Sequence, residues 1–323
     1  MNVSANQQFA IGIDIGGTNT KYGIVDHRGN IFEQGDMPTR GHATPETFID
    51  DLFKSLSPII AKAGHKNIKG IGIGAPNGNY YKGTIEFAPN LEWKGVIPFA
   101  EIVTRRFNLP AALTNDANAA AVGEMMYGAA RGMRDFIMIT LGTGVGSGIV
   151  ANGQLIYGHD GFAGELGHTI VFPNGRPHWG TSLKGSLEAY CSATGVRLTA
   201  IEGLSRDTTG KSLLHNYSPD ALTSKVVYDC AIKGDEVAIE VFRFTGEILG
   251  RALANFIMFS SPQAIVLFGG LAAAGDLIMN PTREHMEENL LPIFRNKIQL
   301  IFSELKESDA AILGASALVW EMK

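Results

Sequence analysis

The chain has 323 residues, 45% of them hydrophobic and 18% charged, and a net charge of −5. That length suits one large domain or two lobes, and the low charged share implies extensive burial. The acidic balance excludes a general polyanion binder, which needs a basic face to neutralise phosphates.

Strand signals, apolar runs rich in β-branched residues, fall at 9–13, 21–25 and 31–34. Thr44 is placed to cap a helix with Pro45 at its first position. Phe48, Leu52, Phe53, Leu56, Ile59 and Ile60 give that helix one apolar face, and Pro58 is placed to kink it. A strand at 69–74 runs into a loop at 75–78, and 99–107 reads as a helix. A short buried strand at 111–114 ends at Asn115-Asp116, and 117–127 reads as the next helix, with Asp116 as a candidate N-cap. Farther on come a second strand pair at 135–156, a Gly-rich segment at 161–168 and a helical stretch at 186–194. Asp235 opens a long helix whose apolar face holds Val241, Phe242, Ile248, Leu249, Leu253 and Phe256. A strand at 264–268 is stopped by Gly269-Gly270, and Asp309 starts a closing helix. This alternation predicts α/β architecture with helices covering mixed sheets. The expected lobes are 1–117, completed by the closing helix 307–323, and 118–306, hinged near 116–135.

Cys191 and Cys230 form no CxxC pair, which argues against a disulfide framework and fits a reducing compartment. The N-terminus lacks a basic region followed by an apolar stretch. The most apolar stretch, 248–269, is broken by Arg251 and Pro262, too polar for a membrane span. A cytoplasmic protein that engages no membrane is expected.

Two stretches share one plan. FAIGIDIGGTNTKYGIVDHRGNI (9–31) and DFIMITLGTGVGSGIVANGQLI (135–156) each set a Gly–Thr step between apolar runs. At a constant offset of 125, Gly17 falls on Gly142, Thr18 on Thr143 and Gly23 on Gly148. Each reads as a hairpin whose bend offers backbone N–H groups and a Thr hydroxyl. Two such bends facing each other across a cleft would grip a nucleotide's phosphates.

Four constellations carry chemistry. Asp14 precedes Gly16-Gly17-Thr18-Asn19, where a buried carboxylate beside a phosphate-sized turn calls for a cation such as Mg²⁺ held through water, or else merely caps the turn. Neither glycine run is a Walker A loop or a dinucleotide fingerprint. Asp116, at a helix start, is a weak base that suits phosphoryl transfer. Glu165 and His168 in GELGH, with Glu188 beyond, suit a ligand carrying several hydroxyls, and His with Glu equally suits a metal. Gly269-Gly270 allow a flat ring close to the backbone.

The motifs IGIDIGGTNTK (11–21), GIGAPNG (72–78), NLEW (90–93), TNDANAAAVGE (114–124), LGTGVGSGIV (141–150), GELGH (164–168), LEAY (187–190) and LFGG (267–270) occur in this order. In them the chain resembles the ROK family of sugar kinases over nearly its whole length. The resemblance implies a two-lobed actin/Hsp70/hexokinase-like (RNase H-like) α/β ATPase fold, with mixed sheets and a cleft between lobes. It implies that Asp116 is the catalytic base and that Gly74, Asn90, Asn115, Glu165, His168 and Glu188 bind the sugar. ATP would be held by Gly16, Gly17, Thr18, Asn19, Lys21, Gly142, Thr143, Gly144, Gly269 and Gly270, with Mg²⁺ held through Asp14.

Many family members carry a zinc site of form CxCGxxGCxE. Anchored on Glu188, its cysteine positions hold Trp179, Thr181 and Ser186 here. No zinc is expected, and the loop at 176–185 is expected to be held by packing, with Trp179 the candidate. Only eight residues precede Phe9, too few for the DNA-reading module of the family's repressors, so no nucleic-acid partner is expected. A homodimer is open by analogy with the family. The expected activity is ATP-dependent phosphorylation of a hexose 6-hydroxyl, glucose first. The alternatives are mannose, fructose, allose or an N-acetylhexosamine, or a non-catalytic ATP-dependent sugar-sensing or assembly protein.

Overall fold

The computed structural model describes residues 7–322. These form two compact units, one of residues 7–134, 148–164 and 303–322, the other of 135–147 and 165–302.

In the first unit, β1 (Phe9–Ile15), β2 (Asn19–Asp26), β3 (Ile31–Pro38), β4 (Ile68–Gly74) and β8 (Ala111–Thr114) make a sheet in the order β3-β2-β1-β4-β8. β1 and β2 are an antiparallel hairpin that sets Asp14 opposite Lys21. β1, β4 and β8 run parallel, with Asp14 paired to Gly74 and Gly74 to Thr114. The carboxyl ends of three parallel strands thus meet at one place, where open α/β sheets present ligands. Three short strands, β5 (Gly78–Asn79), β6 (Thr84–Glu86) and β7 (Val96–Ile97), form a separate antiparallel sheet.

Glycines in this sheet hold their positions through packing. Helix α9 (Glu307–Glu321) lies so close to the sheet that a Cβ on Gly12 would sit 2.2 Å from the Ile312 carbonyl oxygen, and one on Gly72 1.8 Å from that of Ala315. Strand side chains alternate, so Ile11 and Ile13 point away from Gly12's face. They enter a core with Phe48, Leu52 and Leu56 of α1 (Pro45–Ala63). Gly72→Ala must therefore push the helix off the sheet. We expect a loss of about 3 kcal/mol, at the high end for overpacking, read as a lower urea midpoint for this unit.

Thr44 caps α1 in a full capping box, its hydroxyl accepting from the Thr47 N–H while the Thr47 hydroxyl accepts from that of Thr44. Helix α2 (Phe99–Phe107) precedes β8. In α3 (Asp116–Tyr127) the cap is Asn115 rather than Asp116, with the Asn115 Oδ1 accepting from the Asn118 N–H at 2.7 Å. That shift by one residue places Asp116 in the first turn, its carboxylate not spent on the cap.

A second sheet has the order β11-β10-β9-β12-β13, from β9 (Phe136–Leu141), β10 (Val145–Ala151), β11 (Gln154–Leu155), β12 (Ala264–Phe268) and β13 (Gln299–Phe302). β12 runs parallel to both β9 and β13. The helical stretch expected at 186–194 is two helices, α4 (Glu188–Cys191) and α5 (Ala193–Arg206). Ser192 breaks them by accepting from the Gly195 N–H at 3.0 Å as the cap of α5. Asp235 does cap the long helix, here α7 (Glu236–Ser260), which follows α6 (Ser224–Ala231). Gly246 and Gly250 let α7 pack on α8 (Asp276–Glu288), where a Cβ would come within 2.5 Å of Pro281 and 2.4 Å of the Thr282 carbonyl. The closing helix α9 begins at Glu307, two residues before the expected Asp309, and Lys323 of the expected span lies outside the described residues. Among the described residues no helix is long and apolar enough to cross a membrane.

Candidate active site

In the first unit the site forms around Gly74. A Cβ there would lie 3.4 Å from Asp14 Oδ1 and 3.7 Å from the Asp116 Cα. A Cβ there would also lie 3.4 Å from the Ala119 Cβ, so the strand end at Gly74 brings Asp14 and the first turn of α3 together. Burial, and secondarily the charge of Asp116, pushes the Asp14 carboxyl from 3.8 up to about 7, against the pull of Lys21. Solvent reaches Asp116. Even so, the protein around it strips enough hydration to raise its carboxyl, while the Ala117 N–H, donating to Oδ1 at 2.8 Å, opposes that rise. A carboxylate at a helix N-terminus, exposed and weakly basic, is a suitable proton acceptor for a hydroxyl.

The neighbouring bend is tied by the Gly16 N–H donating to the Asn19 carbonyl at 3.0 Å. The Thr39 N–H donates to Thr18 O at 2.8 Å and Arg40 Nε to Gly17 O at 3.2 Å. Thr18, Asn19 and Lys21 are exposed at this bend. Gly17 touches the next element of the site, since a Cβ there would lie 3.0 Å from Asn90. Asn90 is exposed, and the Asn115 side-chain carbonyl is the cap of α3. Arg40 escaped the sequence analysis because nothing local marks a residue that closes a bend twenty-three positions away.

In the second unit, Gly142 and Gly269-Gly270 follow the adjacent parallel strands β9 and β12. Gly142 N–H donates to Gly144 O at 2.9 Å, and Gly142 O accepts from the Ala193 N–H at 2.8 Å. Gly269 has φ +100° and a Cβ there would lie 2.6 Å from the Leu141 carbonyl oxygen, so only glycine fits. Thr143 is exposed. This second bend is joined to Glu188, whose Oε2 accepts from the Val145 N–H at 2.7 Å and would lie 2.5 Å from a Cβ on Gly144. Glu188 Oε1 meets His178 Nε2 at 2.5 Å. Glu165 and His168 are together, with Oε2 and Nε2 3.9 Å apart, and His168 Nδ1 is buried without a partner among the described residues.

The loop at 176–185 is held differently from the packing expected of it. Trp179 is 47% exposed, its ring against that of His178 with centroids 4.3 Å apart. Arg176 anchors the loop instead, donating to Ala189 O at 2.8 Å, Gly195 O at 3.1 Å and Thr199 Oγ1 at 3.0 Å, and pairing with Glu202.

Two metals can be tested against these side chains. Asp14 fits Mg²⁺, because an oxygen donor whose charge is disfavoured by burial and by a second carboxylate gains from a hard cation. Zinc does not fit. Of the three positions where a zinc site would need thiolates, Trp179 offers no ligand atom, Thr181 Oγ1 is engaged with His178 Nδ1 at 3.1 Å, and Ser186 offers a hydroxyl.

Comparison with known proteins agrees with the fold. The ROK family model matches residues 10–322. The glucokinase of Halalkalibacterium halodurans is 35% identical over 97% of this chain and 96% of its own length. That of Thermotoga maritima is 33% identical over 96% and 97%. The crystal structure of a ROK family glucokinase from Streptomyces griseus in complex with glucose and AMPPNP superposes with a TM-score of 0.78 at 32% identity, covering 97% of this chain and 100% of that one. The chain belongs to the ROK family and has the actin-like ATPase fold of that family's sugar kinases.

Proposed function

We propose that this sugar kinase transfers the γ-phosphoryl group of ATP to the 6-hydroxyl of a hexose, with glucose the preferred acceptor. The observation that carries the reading is the pair Asp14 and Asp116 flanking Gly74 at the ends of parallel strands. One carboxylate suits a cation and the other an alcohol. The similar glucokinases support glucose over other hexoses. The two buried free cysteines fit a reducing cytoplasm.

Asp116 orients the 6-hydroxyl and takes its proton late, which suffices because bond-making to the nucleophile is small in a loose transition state. Asn90, Asn115, Glu165, His168 and Glu188 hold the remaining hydroxyls, carboxylates accepting while amides and imidazoles both donate and accept. Gly74 leaves room for the sugar. The amides at Gly16–Asn19 and Gly142–Gly144, with Lys21, hold phosphate oxygens, and Gly269-Gly270 the base. When bound through Asp14, Mg²⁺ offsets charge on the phosphates.

The test is ADP release with MgATP across glucose, mannose, fructose, allose and N-acetylhexosamines. We expect sugar-stimulated release with the highest kcat/KM for glucose. Release indifferent to every sugar would overturn the reading. Gly144→Ala should displace Glu188 from the Val145 amide and lower kcat/KM for the sugar by about 10-fold, as small misplacements of binding groups do. Steady-state kinetics at saturating ATP checks this.

A further inference from the structure

We propose that His178 is a positioning residue for sugar binding, fixing Glu188 through hydrogen bonds where the surrounding side chains do not fit a metal. The inference rests on the reading that Glu188 binds the sugar.

The direction of the hydrogen bonds assigns the ring its proton. His178 Nδ1 accepts from the Gly180 N–H at 3.1 Å and the Thr181 N–H at 3.0 Å. The neutral ring therefore carries its hydrogen on Nε2. That hydrogen points at Glu188 Oε1, with Nε2 and Oε1 2.5 Å apart. The other carboxylate oxygen, Oε2, is already held by the Val145 N–H. Glu188 is thus gripped at both oxygens, which fixes its rotamer and leaves the remaining lone pairs for sugar hydroxyls. The donor is shielded, His178 being 5% exposed, while Glu188 is 13% exposed and open to a ligand.

The same ring reaches a second proposed sugar contact. His168 stands edge-on to His178 with centroids 5.6 Å apart and planes at 88°. One imidazole, oriented by the loop that Arg176 anchors, supports both an acceptor and an imidazole of the proposed sugar site. A metal in such a position orients a ligating histidine. Here backbone amides orient a histidine, which in turn orients a carboxylate.

The experiment compares His178→Ala, His178→Gln, Glu188→Gln and the double variant His178→Ala/Glu188→Gln in the intact protein, with KM for glucose and for ATP measured separately. We expect His178→Ala to raise the glucose KM about 10-fold while the ATP KM and the melting temperature move little. His178→Gln, which retains an N–H donor, should recover part of the loss. The double variant should match Glu188→Gln alone, since both act through one carboxylate. An unchanged glucose KM in His178→Ala, with a raised one in Glu188→Gln, would overturn the inference and leave the role of Glu188 intact. Equal losses for both substrates that track a lowered melting temperature would also overturn it, as a purely structural role. An unchanged KM in Glu188→Gln would overturn the reading of Glu188 and the inference with it. If His178→Ala does not fold, His178→Asn, whose Oδ1 can still accept from the loop amides while its amide falls short of Glu188, carries the same expectations.

Discussion

Asp116→Asn should lower turnover by about 10²–10⁴-fold, the span for loss of a general base, while the glucose affinity stays nearly unchanged. The substitution preserves shape and removes only the capacity to take a proton. Helix α3 should survive it, because its cap is Asn115. The pH profile gives a second signature. Protein around Asp116 raises its carboxyl above 3.8, and the base acts only when ionised. In the native enzyme kcat/KM therefore falls as pH drops through that raised value, and in the variant this acidic limb should disappear. Turnover from a stopped assay, with glucose affinity from calorimetry, decides the matter. Near-normal turnover in the variant would show that Asp116 is not the base.

Asp14→Asn should move stability and activity in opposite directions. The Asp14 carboxyl titrates near 7 in the folded protein and at 3.8 when unfolded. Because the folded value is the higher one, the contribution of this group to stability is fully present below pH 3.8 and is lost as pH rises through about 7. The displacement corresponds at most to about 4 kcal/mol, and the partial solvent access of Asp14 reduces this to roughly 1–2 kcal/mol. The ligand-free asparagine variant should therefore melt higher than the native protein at pH 8, with the advantage vanishing as pH falls toward 3.8. Its turnover with MgATP should drop by about 100-fold, since a phosphate-bound cation loses its protein anchor. Melting curves at both pH values check the first expectation and a Mg²⁺ titration of activity the second. A variant less stable than the native protein at pH 8 would mean that Asp14 is satisfied without a cation.

How much of this was legible in the sequence differs from residue to residue. The β1–β2 hairpin and the β12 strand could be read because apolar runs bounded by glycine are local signals. The long helix α7 was legible down to its cap, Asp235, because capping chemistry sits within four residues. The meeting of Asp14, Gly74 and Thr114 was not, since it depends on the register of three parallel strands set by tertiary packing. The strand at 69–74 was legible, but not that Gly72 within it answers to a helix at the far end of the chain. His178 carries no local mark in the sequence beyond being a histidine in the loop at 176–185. Its function as a hydrogen-bond donor depends on two loop amides and a carboxylate ten residues on, a geometry without any periodic signature.

The proposed reaction is phosphorylation of a hexose at its 6-hydroxyl with Asp116 as the proton acceptor. It is tested most directly by identifying the product of a MgATP and glucose incubation by phosphorus NMR, for the native protein and for Asp116→Asn side by side. We expect glucose 6-phosphate in equal amount to ADP from the native protein and almost none from the variant. Phosphate on another hydroxyl, or as much product from the variant as from the native protein, would contradict it.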